Sequence, residues 1–196
     1  VKLGALKKEF VVEADANTFD IDIYANSAFH IERINQADWI SLTCGETEDG
    51  KGAITAECEF NEGFKRKAGF VLCSDVDARR DTVYVKQKAL VDAKIEFANS
   101  SVIVAGAGGE NISPIETNIP FSEITVDIEY AKADNADWIE SLEIVDSESE
   151  KRSLSITTEA NAADEIPRSA AVSLSFTDGW DETVSVEFNL LQRTAK

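Results

Sequence analysis

The sequence predicts an all-β fold of two tandem β-sandwich domains, residues 1–90 and 91–196, and three observations carry that prediction. Ala37-Asp38-Trp39-Ile40 returns as Ala136-Asp137-Trp138-Ile139, with the tryptophans 99 residues apart. That distance suits one whole domain and exceeds the periods of about 20 to 50 residues that build solenoids and propellers. Apolar and polar residues alternate with a period of two, as in Phe19-Asp20-Ile21-Asp22-Ile23, and turn-forming Asn, Asp and Gly punctuate the alternating stretches. Each half is long enough to bury one core without a disulfide or metal.

In the first half, residues 8–14 carry Phe10-Val11-Val12 as a strand that stops at Asp15-Ala16-Asn17. Phe19, Ile21 and Ile23 then face one side of a second strand, with Asp20 and Asp22 in water. Residues 28–34 make a third strand leading into the tryptophan motif, and Trp39 is expected to enter the core. A polar glycine-rich loop, 45–52, precedes a strand at 54–60, in which Cys58 shares the inward parity of Ile54, Ala56 and Phe60. Arg66 opens the next strand, with Ala68, Phe70 and Leu72 inward, and residues 82–87 close the unit after a charged loop at 74–81. The N-terminal Gly4-Ala5-Leu6 echoes Lys88-Ala89-Leu90, and Glu9-Phe10 echoes Glu96-Phe97, so the first residues read as the tail of a linker from an upstream domain. Residues 88–95 lack the composition of a flexible spacer and read as a semi-rigid joint.

The second half repeats the plan. Residues 101–105 form a strand broken by Gly106-Ala107-Gly108-Gly109, which lacks the lysine and following helix of a phosphate loop and reads as a turn or bulge. Pro114 interrupts 112–118 and marks an edge strand or bulge. Residues 124–130 lead to Trp138, an acidic segment spans 143–150, and 153–159 is a strand with a turn at Asn161. Arg168 opens Ala170, Val172, Leu174 and Phe176, and the hairpin Asp178-Gly179-Trp180-Asp181 leads into 183–190.

Composition excludes several classes of function. The formal charge is -18, and binding a phosphate backbone needs clustered Lys and Arg, so nucleic acid is not a partner. The charge is uneven: 13 basic and 17 acidic residues lie through Lys94, against 6 and 20 from Ile95 onward. Solubility accounts for this excess, with calcium or a basic partner as the alternatives. No apolar run spans a membrane, and a chain that starts at Val1 and lacks Met reads as a processed or trimmed segment. The three cysteines, Cys44, Cys58 and Cys73, all lie in the first unit and read as free thiols. Their spacing gives no zinc ligand pairs, and His30, the sole histidine, has no partner in sequence, so neither metal nor cofactor is expected. A single histidine also argues against catalysis, and no catalytic residue is assigned.

Both units share a longer signature. Each reads Asp-Trp-Ile, then a strand, then Asn61 or Asn161, then Arg66 or Arg168 before an alternating strand; each ends in Val-x-Val near a glutamine, Val83, Val85 and Gln87 or Val184, Val186 and Gln192. In the second unit Phe188 occupies the spacing of the glutamine, and Gln192 comes four residues late. This signature resembles a tandem pair of BACON domains, the Bacteroidetes-associated modules often found N-terminal to other domains, and covers nearly the whole chain. The resemblance implies two immunoglobulin-like β-sandwiches at the periplasm or cell surface, within a glycan-handling lipoprotein or enzyme. It implies a spacer or interaction module with a glycan or another surface protein as partner; the chain is expected to be monomeric and, from its lack of a long apolar run, not membrane-spanning.

Three functional readings follow: a structural spacer, a glycan-binding module, and calcium binding by Asp146-Ser147-Glu148-Ser149-Glu150, whose spacing fits no EF-hand. The candidate glycan site is Trp180 with Asp178, Asp181 and Glu182, because a hairpin-tip indole with no aromatic equivalent in loop 74–81 is not required by the fold. The alternative is that this ring folds back onto protein. Arg66 and Arg168 are expected to anchor a loop or strand edge, with a sugar contact as the other reading.

Overall fold

The structure, a computed structural model, describes residues 2–146, 151–162 and 166–195, which form strands, turns and loops with two short 3-10 helices, Phe121–Glu123 and Ala133–Asn135, and no α-helix among them. The chain divides into two compact units, Val1–Asp92 with Asp178–Asp181, and Ala93–Thr177 with Glu182–Lys196. Each unit is a sandwich of two four-stranded sheets.

The first unit contains β1 (Leu3–Ala5), β2 (Glu9–Val12), β3 (Asn17–Ala25), β4 (Phe29–Arg33), β5 (Ile40–Cys44), β6 (Lys51–Cys58), β7 (Arg66–Ser74) and β8 (Arg80–Gln87). One sheet has the order β1-β3-β6-β5 and the other β2-β8-β7-β4. The second unit contains β9 (Ile95–Glu96), β10 (Ser101–Val104), β11 (Gly109–Thr117), β12 (Thr125–Tyr130), β13 (Ile139–Asp146), β14 (Arg152–Thr158), β15 (Arg168–Thr177) and β16 (Thr183–Gln192). Its sheets are β13-β14-β11-β9 and β10-β16-β15-β12, so strand for strand the topology is the same. In both units the chain changes sheets after its first short strand, and the next strand pairs parallel to the last: β2 with β8 and β10 with β16. The remaining pairs are antiparallel, and their inward faces alternate with polar outer ones.

The cores follow from that alternation. Ile21, Ile23, Ile54 and Ala56 of one sheet meet Ala68, Phe70, Leu72, Val83 and Val85 of the other, all buried. In the second unit Leu154 and Ile156 and then Val172, Leu174, Phe188 and Leu190 occupy the corresponding inner faces. Full burial of each large side chain contributes roughly 1.5–3 kcal/mol.

Several local expectations change. Leu3 and Ala5 are buried and paired with Ala25 and Ile23, so the N-terminal residues belong to the first sandwich and are not a linker tail. The echo of Glu9-Phe10 in Glu96-Phe97 is not a structural match. Val12 pairs with Gln87 as Val104 pairs with Gln192, which sets Phe10 against Val102. Pro114 lies in a strand with neighbours on both sides, but β9 pairs only Glu116 and Thr117; the flank of β11 beside Pro114 is left open, as a residue without an N–H requires. The acidic stretch begins as strand, since β13 runs to Asp146.

The tryptophan motif recurs in sequence but reverses in burial. Trp39 and Trp138 are equivalent in backbone, each carbonyl accepting from the N–H of Glu59 or Glu159 at 2.9 Å. In the first unit Ala37 and Ile40 are buried and Trp39 is half-buried; in the second Trp138 is 1% exposed, while Ala136 and Ile139 are only half-buried. Asp137 has φ 62, a left-handed conformation that Asp38 does not share, and the pairing of β13 shifts register between Ile139 and Ser141. These two irregularities turn the second ring inward; aspartate tolerates the left-handed region better than most residues. The buried ring packs edge-on to Tyr130, with centroids 5.9 Å apart, and its Nε1 has no hydrogen-bond partner among the described residues.

Replacing Trp138 by alanine is therefore expected to cost the second unit about 3–5 kcal/mol, and Trp39→Ala distinctly less in the first. Urea unfolding of the full chain, followed by far-ultraviolet circular dichroism, measures both. Equal losses would contradict the reversed burial.

Candidate functional site

The side chains that recur in both units build one polar lock at the same end of each sandwich. In the first unit β7 begins with Arg66 directly across from Gln87, the last residue of β8. Arg66 Nε donates to Gln87 Oε1 at 2.8 Å, and its Nη2 donates to the carbonyls of Glu59 at 2.9 Å and Phe60 at 3.3 Å. The amide nitrogen of Gln87, fully buried, donates to the carbonyls of Ala14, Asp15 and Glu59 at 3.2, 3.3 and 2.9 Å. Asn61 donates to the carbonyls of Phe64 at 2.8 Å and Lys88 at 2.9 Å, and its Oδ1 accepts from Gly63 N–H at 3.1 Å. Three side chains thus terminate the backbone groups where β2, β6 and β8 end. The guanidinium lies over the Trp39 ring at 4.5 Å.

The second unit repeats this arrangement. Arg168 Nε donates to Gln192 Oε1 at 2.7 Å, and Nη2 reaches the carbonyls of Glu159 and Ala160 at 3.2 and 3.3 Å. Gln192 donates to the carbonyls of Ala105 at 3.2 Å and Glu159 at 2.6 Å, and Asn161 donates to those of Ile166 and Arg193, both at 3.2 Å. Arg168 sits 4.9 Å from the Trp138 ring centre. Gln192 is thus the true counterpart of Gln87, and the partners of Val83 and Val85 are Phe188 and Leu190 in place of Val184 and Val186. The apparent lateness of the glutamine is extra hairpin length ahead of it. Both arginines bond to carbonyl oxygens, which is the structural role.

The candidate glycan residues lie at the β15–β16 turn. Asp178 Oδ1 accepts from the Trp180 N–H at 2.8 Å, and the Asp181 N–H donates to the Asp178 carbonyl at 3.1 Å, closing a turn in which Asp181 has φ 65. Trp180 is half-buried, as is Asp178, and Asp181 and Glu182 are exposed. The Asp178 carboxylate is spent on the turn itself. Of the calcium segment, residues 147–150 lie outside the described residues, and the Asp146 carboxylate accepts from Arg152 Nε at 2.8 Å.

Two features were not legible in sequence. On the outer face of the β10-β16-β15-β12 sheet a shallow groove of ≈ 540 Å³ is lined by Asp127, Glu129, Ser173, Glu187 and Asn189, with Ala171 as a small residue on that face. Its only sequence signal is a run of short polar residues at the outward positions of β15. The other concerns His30, which does have partners. It pairs across β4–β7 with Cys73. Its Nδ1 lies 2.5 Å from Asp75 Oδ1 and its Nε2 3.5 Å from Glu32 Oε1. Those hydrogen bonds, Asp75 first, hold the imidazole above its ordinary pKa. Cys44, Cys58 and Cys73 are free thiols, and burial pushes Cys58 up to about 11.

No protein-family model matches this chain, and no curated protein sequence matches it. Among solved structures it is similar to a Bacteroides ovatus GH5 xyloglucanase, at 18% identity and TM-score 0.37 over 45% of this chain and 19% of that one. It is similar to a SusE-like surface-located polysaccharide-binding protein of the Bacteroides thetaiotaomicron heparin utilisation locus, at 13% and 0.30 over 99% and 34%. It is also similar to mouse protocadherin extracellular domains, at 11% and 0.35 over 100% and 68%. At these scores the likenesses carry no functional argument; the chain spans about a fifth of the xyloglucanase.

Gln192→Leu removes the acceptor of Arg168 and the donor to two partly buried carbonyls. It is expected to destabilise the second unit by about 3 kcal/mol, at about 1–3 kcal/mol for each group left unpaired. Gln87→Leu should do the same to the first unit alone. A loss below about 1 kcal/mol in denaturant unfolding would show that the lock is dispensable.

Proposed function

We propose that this chain is a pair of BACON-type, immunoglobulin-like modules serving as a non-catalytic spacer or interaction segment of a cell-surface or periplasmic glycan-handling protein, with lipid anchoring supplied by sequence outside this segment. The observation that carries the reading is the lock: what the two units keep in common is Arg, Gln and Asn bonded to backbone carbonyls, groups that hold the fold and leave little to bind a ligand. A module selected for holding its shape retains those residues and lets its surfaces diverge. The outer faces do diverge, with a polar groove on the second unit and a histidine–cysteine cluster on the first. Among the described residues no helix is long and apolar enough to cross a membrane.

Glycan binding is the second reading, favoured by the half-buried Trp180 at a hairpin turn and by the carboxylates and amide of the groove. Sugar recognition pairs an apolar ring face with hydrogen-bonding edges. Titration of the full chain with a panel of plant and host polysaccharides, read by tryptophan fluorescence and calorimetry, separates the two. The spacer reading expects no binding tighter than about 1 mM, or about -4.1 kcal/mol. Saturable quenching that disappears in Trp180→Ala, with the circular dichroism unchanged, would replace it with the glycan reading.

A further inference from the structure

The cluster around His30 contains chemistry that the lock and the proposed spacer role do not use. β4 presents His30 and Glu32 on one face, two residues apart, and the β4–β7 register sets His30 opposite Cys73. Leu72 points into the core, so Cys73 points to the outer face, where it is nonetheless only 4% exposed. One ligand atom from each of His30, Glu32 and Cys73 lies within 4.8 Å of the others. A zinc ion with bonds of about 2.1 Å to nitrogen or oxygen and about 2.3 Å to sulfur holds tetrahedral ligands roughly 3.3–3.8 Å apart. His30 Nε2 and Glu32 Oε1, at 3.5 Å, already meet that spacing.

The surrounding groups are arranged as such a site needs. Asp75 takes His30 Nδ1, which orients the ring and turns Nε2 toward Glu32, where a bound ion would replace the proton that Nε2 shares with that carboxylate. A carboxylate on the far nitrogen is the usual partner of a metal-bound histidine. Arg80, across β7–β8 from Cys73, pairs with Glu32 through Oε2, so Oε1 stays available. His30 and Glu32 side chains are 54% and 47% exposed, which gives an ion a path in. The second unit shows that the sandwich does not require these residues. The same register there places Thr125 opposite Ser175 and Ser175 opposite Ser185, with Asp127 in the place of Glu32.

We propose that His30 Nε2, a Glu32 carboxylate oxygen and the Cys73 thiolate bind a zinc ion on the outer face of the first sandwich, with water in the fourth position. On binding, the thiol proton and the proton that His30 Nε2 shares with Glu32 pass to solvent, the zinc–sulfur and zinc–nitrogen bonds form, and no electron is transferred. Nitrogen, oxygen and thiolate donors together suit zinc better than calcium or magnesium, which take oxygen. Three protein ligands leave one coordination place open to water or to a donor from a partner.

The test uses the full chain carrying Cys44→Ser, which removes the exposed thiol, and titrates it with cobalt(II) and then zinc. A thiolate-to-cobalt charge-transfer band with the visible bands of four-coordinate cobalt is expected, displaced by one equivalent of zinc. Cys73→Ser should abolish the charge-transfer band. His30→Gln and Glu32→Gln should each weaken binding at least about 10-fold, and Asp75→Asn about 10- to 100-fold. Cys58→Ser should change nothing. Absence of the thiolate band, or a band that survives Cys73→Ser, overturns the site. Should Cys73→Ser fail to fold, His30→Gln alters a half-exposed side chain and decides the matter alone: unchanged affinity there overturns the site as well.

Discussion

A buried glutamine at the end of the last strand is the interaction on which each sandwich depends. Where two sheets meet at an end, several strands stop together and their terminal carbonyls face inward, away from water. An unmatched buried polar group costs about 1–3 kcal/mol. Gln87 and Gln192 meet this need with one amide each, donating to carbonyls from different segments while the amide oxygen takes the arginine. The arginine then reaches further carbonyls and covers the tryptophan, and the asparagine closes the neighbouring turn. Register, turn and ring placement all converge on a single polar side chain that is fully buried in both units.

Much of the strand plan was readable because period-two alternation reports which side of a sheet is buried. Ile21, Ile23, Ala68, Phe70 and Leu72 lie where their parity places them. What failed were comparisons made by counting residues along the chain. Gln192 looked displaced because β15 and β16 are longer than β7 and β8, and Glu9-Phe10 looked like Glu96-Phe97 because the loops after β1 and β9 differ in length, while the strand pairing does not change. The Arg–Gln bond is fixed by cross-strand register, which ignores how many residues the hairpin contains. The first strand was missed for another reason: Leu3–Ala5 is three residues long, too short to show a period.

The candidate sites divide along the same line. Trp180 stood out because one unit has an aromatic where the other has none, a comparison that sequence permits. His30 with Cys73 could not be found in that way, since the two are brought together by β4–β7 pairing and belong to no local spacing. The groove on the second unit was equally hidden, because Ala171 and Ser173 draw notice only once the strands on either side are known.

The reversed burial of the tryptophan motif bears on how such a chain reaches its native state. Adjacent copies of one topology are prone to exchange strands during folding, since each strand finds a docking place of the right shape in either copy. Here the copies are not interchangeable. The strand that follows Trp39 brings Ile40 to the core, whereas its counterpart brings Trp138 on a left-handed Asp137 and a bulge. The four residues are the same in both copies, so what tells the copies apart is the seat each sandwich offers: one is filled by Ile40 and the other by Trp138, and a motif docked in the wrong copy would have to change its backbone to fill it.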